Sequence, residues 1–229
     1  MRALRILLIT AVILGGLFVA ADRLLLNYAE SEAAERVKAR QGLSGTTEVS
    51  IAGFPFLTQV AGKELERVDV TVRGVEASAN GRRVVITEMS AALHDVRLGA
   101  GFSSATAATA TGTARVSYAD LAAAADEDVT LAYGGNGKVK VTGSVGILGR
   151  TISRSVVSTV SLVGGDTIRV RADKVPGEGI PRLEDLIRGK TDFDRRISGL
   201  PQGMKLEKVQ AEEDGLVITV SGRDVPLAG

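Results

Sequence analysis

The first residues of the chain form one continuous apolar run. Residues 6–21 are uncharged, and Arg2 and Arg5 precede them. A basic start, an apolar middle and small residues at the end are typical of a secretory signal, with a cleavage site after Val19-Ala20-Ala21. The alternatives are an uncleaved anchor with its arginines on the cytoplasmic side, or a buried core helix. We expect residues 1–21 to be a signal peptide or membrane anchor, and the rest of the chain to be exported.

Residues 22–41 have the period of an amphipathic helix. Leu26, Ala29, Ala33 and Val37 recur at spacings of three or four residues and therefore share one stripe. Acidic residues come early in the segment and basic residues late, as the helix dipole favours. The stripe is narrow and rich in alanine, so another element must pack closely against it. The helix either continues the anchor as a stalk or forms the element around which a sheet curls.

After Gly45 the hydrophobic period changes to two. Apolar and polar residues alternate in the segments 68–73, 138–145, 168–171 and 216–220. This alternation predicts half-buried antiparallel strands with one apolar face. Turn signals between such runs occur at Asn80-Gly81, Gly134–Gly137 and Asp214-Gly215. The segment Ser103–Thr113 consists almost entirely of small residues and is expected to be a strand or, alternatively, a flexible connector.

Two short helices are expected within this β-rich part. Ser117 and Asp120 have the spacing of a capping box before residues 121–125. Residues 181–187 are a second candidate, which Gly189 would end.

The patterns together predict the α+β class. One N-terminal helix (22–41) precedes an antiparallel β-rich body (46–229). The length of 229 residues fits one domain with a substantial core, so we expect residues 22–229 to form a single domain.

Composition argues against several classes of function. The net charge of +1 and the aromatic content of 3% give no reason to expect nucleic-acid binding. The chain has no cysteine, and therefore no thiol nucleophile, disulfide or lipidated residue after the signal. His94 is the only histidine and no Gly-x-Ser-x-Gly elbow occurs, so we expect no enzyme. The acidic clusters 126–128 and 212–214 lack the spacing of a calcium loop, and we expect no metal or cofactor.

The run from Ile51 to Leu57 concentrates large apolar side chains in a chain that has few. Pro55 removes a backbone donor and Gly53 permits a bend, so the run is not the middle of a central strand. Such a kinked segment either fills a core or lines an apolar groove. Because hydrophobic residues make up 45% of the chain and are mainly aliphatic, a curved sheet lined by them can leave a groove for acyl chains.

The order of these features resembles the LmeA-like family of actinobacterial exported phospholipid-binding proteins. The most specific part is Gly53-Phe54-Pro55-Phe56-Leu57. Further support comes from the N-terminal signal, the helix 22–41, Val116-Ser117-Tyr118-x-x-Leu121, Leu200-Pro201-x-Gly203-Met204-x-Leu206 and the hairpin 214–218. The resemblance implies a fold similar to the tubular lipid-binding proteins, in which a highly curved antiparallel sheet wraps a long helix.

The resemblance also implies a function. It implies binding or transfer of phospholipid at the outer face of the cytoplasmic membrane, in support of envelope lipid or lipoglycan assembly, with envelope biosynthetic enzymes as partners. The candidate lipid-binding residues are Ile51, Phe54, Phe56, Leu57, Val70 and Leu200. Core packing beside a proline turn is the competing interpretation for the phenylalanines. The alternative function is a membrane-anchored module that scaffolds envelope enzymes and carries no ligand.

Overall fold

The structure is a computed structural model that describes residues 2–41, 45–79, 82–123, 129–147, 150–175, 188–189, 191–197 and 200–228. Its helices are α1 (Arg2–Gln41), α2 (Phe56–Gly62) and α3 (Tyr118–Ala123), and a 3₁₀ turn covers Ala100–Phe102. The strands are β1 (Thr46–Ala52), β2 (Glu64–Ala79), β3 (Arg82–Leu98), β4 (Ala105–Val116), β5 (Val129–Gly135), β6 (Lys138–Ile147), β7 (Arg150–Val163), β8 (Thr167–Ala172), β9 (Phe193–Arg196), β10 (Met204–Glu212) and β11 (Gly215–Ala228).

Helix α1 has two halves in opposite environments. The side chains of residues 3–21 are exposed, whereas Asp22 and Leu26 are buried. Ala29, Ala33 and Val37 are half-buried where the second half packs on β1 and α2. The stripe predicted from the helical period is therefore confirmed as the face that packs on the body.

Within the described residues, one helix is long and apolar enough to cross a membrane, over Ala3–Ala39. None of its most apolar stretch is buried inside the protein. The interpretation as a buried core helix is therefore wrong, and the segment has the properties of a signal sequence or an anchor.

The strands form two antiparallel sheets, neither of which is closed. The six-stranded sheet has the order β1-β2-β3-β4-β11-β10, and the five-stranded sheet has the order β5-β6-β7-β8-β9. The predicted α+β class is confirmed, and the four segments with alternating hydrophobicity lie in β2, β6, β8 and β11.

Two apolar clusters hold these elements together. One lies between the two sheets, where Val141 and Ile168 pack with Leu206 and Leu216. The other lies between the six-stranded sheet and α1 and α2, and it includes Leu26, Ile51, Phe56, Leu65, Leu93, Val96, Ala107, Ala110 and Val225. The second cluster joins α1 to the sheet.

Strand β4 explains the segment of small residues. It lies in the middle of the six-stranded sheet, and Ala107 and Ala110 are almost completely buried. A Cβ on Gly112 would lie 3.0 Å from Cγ2 of Val220, so the Val220 side chain would have to shift to accept a larger residue. Small side chains therefore suit the buried positions here, and the segment is a strand and not a connector.

The predicted local signals agree with the structure where it describes them. Asn136 and Gly137 form the β5–β6 turn with φ of 51° and 71°, and β10 and β11 pair across a tight turn at Glu212 and Gly215. Ser117 Oγ accepts a hydrogen bond from the Asp120 amide at 3.1 Å, as in the predicted capping box. The turn at Asn80-Gly81 and the helix at 181–187 lie outside the described residues.

Candidate functional site

A shallow apolar cavity of about 330 Å³, more open to solvent than enclosed, lies between α1, α2 and the adjacent ends of β1, β2 and β3. Its lining consists of Leu25, Tyr28, Ala29, Ile51, Phe56, Leu57, Val60, Leu65, Leu98 and Phe102. Apart from the Tyr28 hydroxyl, these side chains are purely hydrocarbon. The cavity can therefore bind an apolar group by burying its surface, and its lining offers no carboxylate, amine or imidazole for chemistry.

Helix α2 forms one wall of the cavity, and a side chain of α1 fixes its start. Pro55 occupies the N-cap position and offers no side-chain acceptor to the free amides of the first turn. Asp22 supplies the acceptor instead, because its Oδ1 accepts a hydrogen bond from the Leu57 amide at 2.8 Å. The contact places Phe56 and Leu57 against α1.

The connection between β1 and α2 is held by Gln59. Its Nε2 donates to the Ala52 carbonyl at 3.2 Å, and its Oε1 accepts from the Glu66 amide at 2.8 Å. Gly53 has φ of 99°, and a Cβ there would come within 2.6 Å of Gln59 Nε2. Gly53, directly before Phe54, is thus required by its backbone conformation, and a side chain there would also displace the Gln59 amide from its hydrogen bonds.

The free edge of β1 faces α1. Ile51 pairs with Val68 of β2 on one side, and its amide donates to Glu30 Oε1 at 2.8 Å on the other. This contact satisfies a backbone donor that an outer strand would otherwise expose. It also holds the buried Ile51 side chain in the cavity wall.

The cavity has an exposed apolar rim. Leu25, Tyr28 and Phe102 line it and are 46%, 68% and 54% exposed. Phe102 ends the 3₁₀ turn with φ of 57°, a left-handed conformation that is uncommon for a bulky residue. This conformation directs the ring to the rim.

Arg23 and Phe54 lie beside the same stretch of α1. The Arg23 guanidinium carbon is 4.8 Å from the centre of the Phe54 ring, within the range of a cation–π interaction. The Phe54 side chain is 57% exposed and is not part of the cavity lining.

The titratable groups whose pKa values are shifted lie outside the cavity. Burial raises the pKa of Tyr118 to about 12, and its hydroxyl donates to the Glu212 carbonyl. Hydrogen bonds from Thr167 and then Arg196 lower the pKa of Asp166 in the turn between β7 and β8. In the described part of the chain, no group of three or more histidine or acidic side chains is placed to hold a metal ion.

The sequence model of a known family matches residues 20–221, and that family is described as LmeA-like phospholipid-binding. The chain belongs to this family. The match includes the whole cavity lining and begins two residues before Asp22, the first buried side chain of α1. No curated protein and no solved structure matches the chain significantly.

The LmeA-like chain brings three of the six sequence-predicted site residues together. Ile51, Phe56 and Leu57 line the cavity. Val70 is half-buried on β2 and packs against the cluster next to α1, and Leu200 packs against the other cluster, between the sheets. Contact of any of the six with lipid stays a prediction.

Several lining residues of this LmeA-like protein were not predicted from the sequence. Leu25 and Tyr28 lie on the flank of the α1 stripe, and Val60, Leu65 and Leu98 lie on elements that only the fold brings together. Tyr28 and Phe102 could have been predicted as candidates, because the chain has few aromatic residues and the same argument that selected Phe54 and Phe56 applies to them.

Proposed function

We propose that this LmeA-like protein binds phospholipid by taking an acyl chain into the cavity between α1 and α2. The observation that carries the proposal is the cavity itself, which is apolar throughout and lies at the segment on which the family resemblance mainly rests. Phe56 and Leu57 form one wall, and Ala29 leaves space on the opposite wall. Acyl chains are recognised by burial of apolar surface, which this lining offers.

The size of the cavity sets how much of a lipid it holds. A volume of about 330 Å³ is at the lower end of the range of about 300–1,000 Å³ for ligand pockets. Each buried methylene contributes about 0.8 kcal/mol, so a chain segment of about six methylenes would contribute about 5 kcal/mol before the cost of association is subtracted. The cavity therefore takes part of one chain, and the second chain and the headgroup lie outside it.

The proposed place of action is the outer face of the cytoplasmic membrane. Residues 1–21 act as export signal or anchor, and residues 22–229 act as one lipid-binding domain. The protein is not an enzyme in this proposal. It holds or transfers phospholipid for assembly of envelope lipid or lipoglycan, and envelope biosynthetic enzymes are its partners. The basic, apolar and small-residue order of the N-terminus and the absence of catalytic groups in the lining support this role.

The test compares lipid occupancy in three forms of the full chain. The wild type, Ala29→Phe and Ala39→Phe are purified in mild detergent and analysed by native mass spectrometry and organic extraction. Ala29 lines the cavity, so its replacement fills the space and is expected to reduce bound phospholipid at least about tenfold, the factor for 1.4 kcal/mol of lost binding. Ala39 lies on the same helix but is exposed, so Ala39→Phe is the matched control and is expected to keep its lipid.

A second cavity variant keeps the test valid if Ala29→Phe does not fold. Leu57→Asn places a polar side chain in the cavity and keeps the backbone amide that donates to Asp22. Circular dichroism shows whether each variant is folded. A folded Ala29→Phe and Leu57→Asn that both retain full occupancy would exclude the cavity as the site. A wild-type protein that is empty and takes up no phospholipid from vesicles would favour the ligand-free scaffold.

A further inference from the structure

Exposed aromatic and leucine side chains lie on α1 and on both of its flanks beside the cavity. We define the rim patch as Leu24, Leu25, Tyr28, Phe54 and Phe102, which are between 46% and 70% exposed. The chain has five Phe, three Tyr and no Trp. Three of these eight aromatic residues are in the patch, and a fourth, Phe56, lies directly behind it in the cavity wall. Exposed apolar patches of this kind mark surfaces that contact a partner or a membrane.

Helix α1 sets the level of the rim patch relative to a membrane. A helix rises about 1.5 Å per residue, so the uncharged residues 6–21 span about 24 Å, somewhat less than the thickness of about 30 Å of a hydrocarbon core, and Asp22 and Arg23 follow directly at the end of this span. Tyr28 lies only about 7.5 Å beyond Arg23. If α1 crosses the bilayer with its exposed apolar half, Arg23 reaches the headgroups and the α1 part of the patch lies at the interface.

Two contacts bring the rest of the patch to the same level. The Phe54 ring lies against the Arg23 guanidinium at 4.8 Å, and Phe102 lines the cavity together with Leu25 and Tyr28. Phe54 and Arg23 are therefore on one flank of α1, and Tyr28 and Phe102 are on the other. Aromatic side chains near a cation are the composition that membrane–water interfaces favour.

The volume of the cavity gives an independent reason for contact with a membrane. A two-chain lipid that inserts part of one chain still has most of its apolar surface outside the protein. If the lipid left the bilayer, this surface would be exposed to water, at a free-energy cost of about 25 cal/mol per Å². A lipid bound in this cavity therefore keeps its second chain in an apolar phase next to the mouth.

We infer that the rim patch inserts into the headgroup and acyl boundary of the membrane that α1 crosses, so that an acyl chain enters the cavity directly from that leaflet. The occupant of the patch is the bilayer surface. The inference rests on the proposed function for the identity of the ligand in the cavity and for the anchored form of α1. It assigns to Phe54 and Phe102 a role in docking on the membrane, outside the protein core.

The chain has no cysteine, so single cysteines report depth in the bilayer without background. Ala100→Cys, next to Phe102 in the exposed 3₁₀ turn, is labelled with a fluorophore in the full-length protein. The protein is reconstituted in phosphatidylcholine and phosphatidylglycerol vesicles in which some lipids carry a nitroxide on the acyl chain. Leu14→Cys, in the apolar half of α1, is the positive control. Ala39→Cys, about 24 Å beyond Arg23 along the same helix, is the negative control.

The label at Ala100 is expected to be quenched nearly as strongly as the label at Leu14, while the label at Ala39 is not quenched. Adding Phe54→Ser and Phe102→Ser should remove most of the quenching at Ala100. Quenching at Ala100 no greater than at Ala39, or quenching that persists in the doubly substituted protein, would overturn the inference.

Depth and occupancy are separate measurements in this design. A quenched label on a protein without bound phospholipid supports docking and contradicts the proposed function. A protein that holds phospholipid but shows no quenching at Ala100 overturns docking and leaves the proposed function in place.

Discussion

Replacement of Asp22 by alanine tests how the cavity wall is held. Asp22 has no solvent exposure, and its Oδ1 accepts the Leu57 amide at 2.8 Å. The contact closes the first turn of α2, where Pro55 cannot provide a side-chain cap. Asp22→Ala removes the acceptor and leaves a half-buried amide without this partner, so the link of α2 and its cavity-lining residues to α1 is weakened.

The expected magnitude follows from the type of bond. A hydrogen bond to a charged group contributes about 1.5–3 kcal/mol, and loss of a helix cap typically costs about 1 kcal/mol. Oδ2 of Asp22 has no hydrogen-bond partner and lies 3.9 Å from Arg23 Nε, so removal of a buried charge offsets part of the loss. We expect a net loss of about 2 kcal/mol, or about 4–8 °C in Tm for a chain of this length.

The assay is thermal unfolding of the full chain in mild detergent, followed by circular dichroism. Asp22→Asn is the matched control, because it keeps an acceptor at Oδ1 but replaces the charged Oδ2 by an amide; we expect its Tm to lie between those of Asp22→Ala and the wild type. Glu32→Ala breaks the exposed pair with Arg36 on the same helix and should cost no more than about 0.5 kcal/mol. A Tm for Asp22→Ala that equals that of Asp22→Asn would refute the reasoning.

Two further predictions use the same assay. Phe56 is 6% exposed, so Phe56→Ala should lower the free energy of unfolding by about 3–5 kcal/mol. Phe54 is 57% exposed, so Phe54→Ala should change it by less than about 1 kcal/mol. Equal losses would contradict the assignment of Phe56 to the cavity wall and of Phe54 to the protein surface. Tyr118→Phe should cost about 1 kcal/mol for the lost bond to the Glu212 carbonyl. The pKa of Tyr118 is about 12 in the folded protein and near 10 in the unfolded chain, so between pH 10 and about 12 only the unfolded chain releases this proton. The free energy of unfolding of the wild type should therefore fall as the pH rises from 10 to about 12. The plot of this free energy against pH should be flatter for Tyr118→Phe, and parallel plots would contradict the assignment.

The features that the sequence predicted correctly are those that depend on near neighbours. The α1 stripe, the alternating strands and the capping box at Ser117 each follow from contacts within a few residues, and each is present. Strand β4 could be predicted because a run of Ala, Thr and Gly can still adopt an extended conformation. The Phe-Pro-Phe run was correctly removed from the strand, since β1 ends at Ala52 and α2 begins at Phe56.

The features that depend on distant pairing could not be read from the sequence. Alternation shows that Val70 and Leu200 have apolar neighbours, but it does not show that they belong to different clusters. The division of the strands into two sheets depends on the pairing of β4 with β11, which are about a hundred residues apart in the chain. The cavity mouth likewise combines Tyr28 with Phe102, and no local pattern relates the two.

The boundary within α1 bears on whether the protein remains anchored. Ala21 is exposed and Asp22 is completely buried, so the packing of the helix on the body begins directly after the predicted cleavage site. Cleavage there would leave the contacts of Asp22 with Leu57 and of Glu30 with Ile51 intact, because both acceptors lie after the site. The fold is therefore compatible with either fate of the N-terminus. In the proposed anchored form, Tyr28 at the cavity rim lies about 8 Å along α1 beyond Arg23, so retention of residues 1–21 would decide between a fixed entry point for lipid and a diffusing carrier.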